Sequence, residues 1–407
     1  MTNTKLQRLW RRELRAYLVL AGSYFGLFAV LLTLIPSLAT RHGSGPAAAG
    51  VLLAILAAAG LIGDSLVGRA GSHFGTRPLI FTGIGVTAAG STILLSFTSY
   101  TAFVIASALL GFALSMMLTP ILGGLSSHAG EKQISAQATN AAWQRAGALI
   151  AALFLMNLLG SSGELLIIVA IIALLVSLLG GALVLTPRAK QTSDAAARPQ
   201  RRRRGVIVPL VRSSRTLRAG LVITAGTPLL IIVGSSFFPL VLITIAKPEL
   251  LVLGLVAREA VAIIAALSIR TLTSRRTLGV TWAIAATVGA LGLLAIPFVE
   301  SNAAIIIFFS LHGAAITTGV TLGNVRLYDG STPETRLYGF AASSMLTRLA
   351  GLLYPLMLGS LLSISAVAAF GSVAVVTLVI GITYALLTRD EADASDTEPA
   401  APEESRS

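Results

Sequence analysis

Apolar residues run through this chain in blocks of about twenty, and each block is closed by a charged or turn-forming break. A membrane-spanning helix needs about 20 mostly apolar residues, so the pattern predicts twelve spans. They lie at 15–39, 46–68, 77–97, 100–125, 136–160, 163–186, 218–245, 249–270, 277–297, 302–326, 338–362 and 364–388. Most breaks are short, which favours antiparallel neighbours; only 187–217 is long. The pattern also repeats. Leu14-Arg15-Ala16 returns as Leu217-Arg218-Ala219, Pro36 as Pro239, Glu131 as Glu334 and Arg145 as Arg348, always 203 positions later. Collinear markers of this kind point to two parallel six-helix halves, an arrangement found in secondary transporters. The expected organisation is a cytoplasmic amphipathic N-terminus (1–14), a six-helix bundle (15–186), a cytoplasmic linker (187–217), a second bundle (218–388) and a disordered acidic tail (389–407).

Composition agrees with the membrane as solvent. Of 407 residues, 55% are hydrophobic and 12% charged, whereas a soluble domain is about a quarter charged. The first apolar run is too long, and too poorly followed by a small-residue cleavage site, for a signal peptide. Cysteine is absent and the four histidines, His42, His73, His128 and His312, are scattered. No metal, thiolate or redox chemistry is indicated, and no cofactor is expected. Nor is a phosphate cradle of the Gly-x-x-x-x-Gly-Lys-Ser/Thr type present, so ion or substrate gradients must supply the energy, with protons as the default.

Charge sets the orientation. With both termini inside, 25 of the 30 Lys and Arg fall in the cytoplasm, three fall within helices, and two, Arg41 and Lys247, fall outside. Cytoplasmic loops retain basic residues, so the bias fixes the topology. The net charge of +13 belongs to the inner face, where it meets anionic lipids rather than nucleic acid. Arg201 to Arg204 read accordingly as a lipid-facing linker. Lys5 to Leu14, with Leu and Trp among basic residues, read as an interfacial amphipathic segment or as a topological anchor.

The segment Gly68-Arg69-Ala70-Gly71-Ser72-His73-Phe74-Gly75-Thr76-Arg77 resembles the loop 2–3 signature of the major facilitator superfamily at Gly68, Gly75 and Arg77, with Ser72 and His73 standing where that signature has an acid and an arginine. Pro333-Glu334-Thr335-Arg336 resembles the Pro-Glu-x-Arg loop of the same superfamily. The resemblance implies an all-α membrane protein of two pseudo-symmetric six-helix bundles that alternate around a midplane site, working as a monomer in a bacterial inner membrane.

Five ionisable residues fall inside spans: Asp64, Arg145, Arg258, Glu259 and Arg348. Such groups are expensive in a bilayer and mark functional positions. The resemblance makes spans 2 and 11, and spans 5 and 8, neighbours across the interface. Matched depth then predicts two latches, Asp64 with Arg348 and Arg145 with Glu259, or static pairs within a bundle. One cation remains over, and Arg258, rotated about 100° from Glu259, is the expected remainder, available to an anionic group on a substrate. Proton coupling is assigned to Asp64 or Glu259, with His312 next.

In relatives spans 1, 4, 7 and 10 line the cavity. Here they carry Tyr24 and Phe28, Met117, Ser236 and Phe237, and His312 and Asn324. That lining, with no carboxylate between Glu13 and Asp64, suggests a small hydrophobic or amphipathic compound rather than a cation. Ala146 to Ile150 lack the Gly-Pro-Gly-Gly type of antiporter signature. Proton-coupled export is the first reading. Uptake of a neutral or anionic nutrient, which would require a more polar cavity, is the alternative. A scaffold or receptor without flux is the second alternative. No nucleophile, base and oxyanion set is visible, so an enzyme is not expected.

Overall fold

The computed structural model describes residues 3–74, 76–127, 133–155, 163–185, 207–240, 249–271, 275–332 and 335–396. Twelve long helices are described, numbered here α1 (Asn3–Arg41), α2 (Pro46–Phe74), α3 (Thr76–Ser96), α4 (Tyr100–Ser127), α5 (Gln133–Leu155) and α6 (Gly163–Val184) in the first half. The second half holds α7 (Arg215–Ile232), α8 (Glu249–Ile269), α9 (Arg275–Ala295), α10 (Asn302–Asp329), α11 (Arg336–Ile364) and α12 (Ala366–Asp396). Helices are what apolar blocks must form in lipid, because each backbone donor and acceptor is then satisfied inside its own segment. Among the described residues ten helices are long and apolar enough to cross a membrane. The other two of the twelve, α5 and α8, are of spanning length and hold Arg145, Arg258 and Glu259.

Three boundaries depart from the sequence expectation. The N-terminal segment is continuous with α1, which begins at Asn3. Part of the expected linker is helical, as a short helix Ile207–Ser213 and the first turn of α7. The last helix runs on to Asp396, past the expected boundary at 389. Its apolar periodicity ends earlier, but Ala, Glu and Asp all tolerate helix, so the segment propagates from the span before it. Arg201 to Arg204 lie outside the described residues.

Each half has its own apolar core. One cluster is drawn wholly from the first half, including Leu20, Leu27, Leu31, Phe103 and Leu178. The other is centred on Val233, Phe237, Phe238, Trp282, Phe309 and Phe370, and takes in Leu32, Ala49 and Leu53 from across the interface. The halves meet along two principal seams, α2 with α11 and α5 with α8. Glycine permits the closest approaches. A Cβ on Gly147 of α5 would overlap the Gly22 carbonyl of α1, and one on Gly50 of α2 would overlap the Pro355 carbonyl of α11. Small residues at crossings are the usual means of packing helices where lipid supplies no hydrophobic drive. Outward positions such as Ile264, Ile284, Val375 and Ile382 are exposed and apolar, as suits a surface facing acyl chains.

With twelve spans, both termini lie on one face, called here the terminus side. Toward the opposite, distal side, α7 continues into a π-helical turn, Val233–Phe237. There α1 and α7 are joined by two hydrogen bonds, from the Thr33 hydroxyl to the Ser235 carbonyl (2.7 Å) and from the Ser236 hydroxyl to the Leu32 carbonyl (2.7 Å).

Candidate functional site

A cavity of about 280 Å³ lies between the halves, walled by α1, α2, α4, α5, α7, α10 and α11. Its aromatic wall is a cluster on α1: Tyr24 and Phe28 lie near parallel with centroids 6.2 Å apart, and Phe25 stands edge-on to both. Positions 24, 25 and 28 share one helical face, so a single side of α1 presents all three. The opposite wall is different. Thr224 and Thr227 on α7, Asn324 on α10, Ser343, Ser344 and Thr347 on α11, and Gln144 on α5 bring uncharged hydrogen-bonding groups to the lining. Arg348 is the one charged residue among the described residues that line it.

That charge is answered directly. Arg348 donates from Nε to Asp64 Oδ2 at 2.8 Å, and the guanidinium also donates from Nη2 to the Ser115 hydroxyl at 2.7 Å. Thr119 and Ser344 each donate to the Asp64 carboxylate at 3.3 Å. Asp64 lies ten residues before the terminus-side end of α2 and Arg348 twelve after the start of α11, depths of about 15 and 18 Å at 1.5 Å per residue. Gly60, one turn before Asp64, gives the guanidinium its room: a Cβ there would sit 2.8 Å from Nη1. The pair bridges the α2–α11 seam, as the matched depths predicted.

The second seam holds a denser cluster. Arg145 Nη1 lies 3.5 Å from Glu259 Oε2, and Glu259 is fully buried. The expected remainder, Arg258, does not stand apart: its side chain turns back along α8, donating from Nε to Glu259 Oε1 at 2.7 Å. A rotation of about 100° separates the two Cα positions, but the long Arg stem spans that arc, and among the described residues no other carboxylate is paired with it. One carboxylate thus serves two guanidiniums, and the cluster carries one surplus positive charge. Arg258 also reaches the Ser235 hydroxyl (3.3 Å) and the face of Phe309, with Cζ 5.1 Å from the ring centroid. Its Nη1 is buried without a hydrogen-bond partner. His312, wholly buried, bonds through Nε2 to the Leu230 carbonyl at 2.7 Å, which makes that nitrogen the protonated one. Its Nδ1 is unpartnered.

Of the residues expected to contact substrate, Tyr24, Phe28 and Asn324 line the cavity. Asn324 also donates to Gln137 Oε1 on α5 at 3.3 Å, a further link across the interface. The rest stand outside this lining. Met117 packs toward α3, where its Cγ would touch a Cβ on Gly83. Ser236 serves the α1–α7 contact, Phe237 belongs to the second-half core, and His312 and Arg258 belong to the seam cluster. The polar wall of Thr224, Thr227, Gln144, Ser343 and Thr347 was not singled out by sequence. Of the loop-signature residues, Gly68 lies in α2 and Arg77 in α3, its guanidinium 5.5 Å from the Phe81 ring centroid; Arg336 begins α11, and Gly75 and Glu334 lie outside the described residues. Among the described residues no group of three His, Cys, Asp or Glu could hold a metal ion.

Two solved structures share this architecture closely. A nucleoside transporter, NupG, in a point-mutant form, superposes with a TM-score of 0.70 at 15% identity, over 92% of this chain and 99% of its own. NupG without that mutation gives 0.68 at 14% identity, over 93% and 99%. Identity this low speaks for the fold alone. Among curated proteins, no significant match is found. The sequence model of the Major Facilitator Superfamily matches residues 16–326, about three quarters of the chain. Twelve spanning helices in two pseudo-symmetric halves, with a cavity between them, are thus the structure of a multi-pass transporter with a small-molecule substrate, and the chain belongs to the Major Facilitator Superfamily.

Proposed function

We propose that this chain is a proton-coupled transporter that takes up a small neutral solute with an aromatic or apolar face and several hydrogen-bonding groups, the class to which nucleosides belong. The lining of the cavity carries this reading. Tyr24, Phe25 and Phe28 offer a stacking surface, while Gln144, Thr224, Thr227, Asn324, Ser343 and Thr347 offer donors and acceptors without net charge. Arg348 is neutralised by Asp64, so an ionic cargo would have to break that pair. Fold likeness to a protein named as a nucleoside transporter agrees with this class. Export of a hydrophobic compound is the second reading, favoured by Leu118, Leu122 and Ile231 in the same cavity. Thr224, Thr227, Thr347 and Asn324 already donate within the protein, but such a cargo would leave their remaining acceptor sites and the Gln144 amide unmatched, at a cost of up to about 1–3 kcal/mol for each group desolvated without a partner. The polar wall therefore favours a hydrogen-bonding solute, and with it the first reading.

The two seams differ in what happens when the halves part. Glu259 keeps Arg258, which travels on the same helix. Asp64 has its guanidinium across the interface, on α11. Separation thus strips Asp64 of its counter-charge, whereas Glu259 keeps one. We assign proton coupling to Asp64 and a latch role to Arg145 with Glu259. We place the terminus side in the cytoplasm of a bacterial inner membrane, because the basic residues crowd that face.

The test is flux in proteoliposomes under an imposed pH gradient, with radiolabelled uridine and adenosine beside a lipophilic dye. Gradient-driven nucleoside accumulation, abolished by a protonophore, is the expected result. Dye extrusion without nucleoside entry supports the export reading instead, and no flux of any compound supports the scaffold alternative.

A further inference from the structure

Away from the central cavity, a cleft of about 670 Å³ runs down the outside of the first half between α1 and α6, at the terminus side. It is lined by Arg12, Arg15, Ala16 and Val19 of α1 and by Ser177, Gly180, Gly181 and Val184 of α6. Each set follows the 3–4 residue spacing of one helical face, so two continuous stripes form the walls. The charge is at one end only. Arg12 and Arg15 are both exposed and begin the apolar span Arg12–Arg41, which puts them at headgroup depth; the residues beyond them are apolar or small. Gly180 is open: a Cβ there would meet nothing within 4 Å. The α1–α6 helix pair thus forms a furrow with two cations at its mouth and room for a hydrocarbon tail behind them.

We propose that this cleft binds one anionic phospholipid, the phosphate between Arg12 and Arg15 and an acyl chain lying over Ala16, Val19 and Gly180. Charge excludes the adjoining linker as occupant, since Arg188, Lys190, Arg198 and Arg201 to Arg204 outnumber Asp194 in it. The acidic residues near the C-terminus have the complementary charge but no apolar run to fill the furrow.

Native mass spectrometry of the full-length protein, released from detergent with added phosphatidylglycerol or with phosphatidylcholine of the same chains, tests the site. A basic side chain at the membrane surface is worth roughly fivefold in affinity for anionic lipid, so Arg12→Gln with Arg15→Gln should weaken phosphatidylglycerol binding about thirtyfold and leave phosphatidylcholine unchanged. Gly180→Leu keeps both arginines and fills the furrow; it should also lower phosphatidylglycerol occupancy, with thermal stability unaltered because nothing is displaced. Equal binding of the two lipids by the parent protein overturns the proposal, as does undiminished phosphatidylglycerol binding in the double variant. Selective binding that appears only after residues 397–407 are removed identifies the acidic tail as the occupant and also overturns it.

Discussion

Glu259→Gln should be the most destabilising single amide substitution among the buried charges. In the parent protein this carboxylate lies 3.5 Å from Arg145 and 2.7 Å from Arg258, with no exposed surface. At an effective dielectric of about 20 each contact is worth roughly 5 kcal/mol of attraction, partly offset by the desolvation of all three groups. Removing the carboxylate leaves the two guanidiniums that shared it facing each other, and at an assumed separation of about 6–7 Å their repulsion would be about 2–3 kcal/mol on the same scale. Taken with measured costs of breaking buried pairs, the expected loss is about 3–5 kcal/mol. For a half of some 200 residues, 1 kcal/mol moves the melting temperature by about 2–4 °C, so a fall of about 10 °C is expected. Arg145→Gln should cost far less, because Arg258 still neutralises Glu259 and the surplus charge is gone. Adding Arg145→Gln to Glu259→Gln should restore part of the loss by removing the repulsion. Melting in detergent, followed by the fluorescence of the three tryptophans, measures all three variants. If Arg145→Gln lowers the melting temperature as much as Glu259→Gln, the shared-carboxylate account is wrong.

Three further outcomes are expected. Asp64→Asn should abolish the stimulation of flux by a pH gradient while leaving exchange of substrate across the membrane, and retention of full stimulation would move the proton to another group. Gly147→Ala should lower folded yield sharply, by a cost of about 2 kcal/mol or more, since its methyl group meets the Gly22 backbone; yield and melting temperature near the parent's would refute that close packing. Thr33→Val with Ser236→Ala removes both α1–α7 hydrogen bonds and should shift the population toward opening on the distal side by about 1–3 kcal/mol, or roughly five- to 150-fold. Because the chain has no cysteine, the labelling rate of one cysteine introduced in the cavity reports that shift, and an unchanged rate refutes it.

The number of spans and their approximate limits were readable from the apolar blocks, and so were the two inter-half pairs, because charges in a bilayer have few places to go. Arg258 shows where such reasoning stops: a single angle between adjacent positions ignores the reach of a long flexible stem. Met117 and His312 show another limit. Their helices are apolar nearly all round, so no amphipathic face tells which side looks into the cavity, and packing against Gly83 or the Leu230 carbonyl is fixed only by the neighbours. Thr224, Thr227 and Ser343 were overlooked for the opposite reason. Hydroxyl residues recur throughout these helices and most bond their own preceding turn, as Thr227 does to the Ile223 carbonyl, so residue type does not separate the few that also border a cavity.

The π-helical turn Val233–Phe237 gives α7 a mechanical property that α1 lacks. A π turn holds one residue more than an α turn of the same rise, and so offsets the helix beyond it by about 100°. Two carbonyls around this turn also accept from outside the helix, that of Leu230 from His312 and that of Ser235 from Thr33. Passing the extra residue along α7, or returning it to α geometry, exchanges a few hydrogen bonds without melting a turn. Such an exchange would let the distal end of α7 swivel about its own axis once its two bonds to α1 are broken, while its base is held by the Ser214 cap. Were the halves to part on the distal side, such a swivel would add rotation of one helix to any rocking of the bundles, and the two halves would not move as symmetric copies.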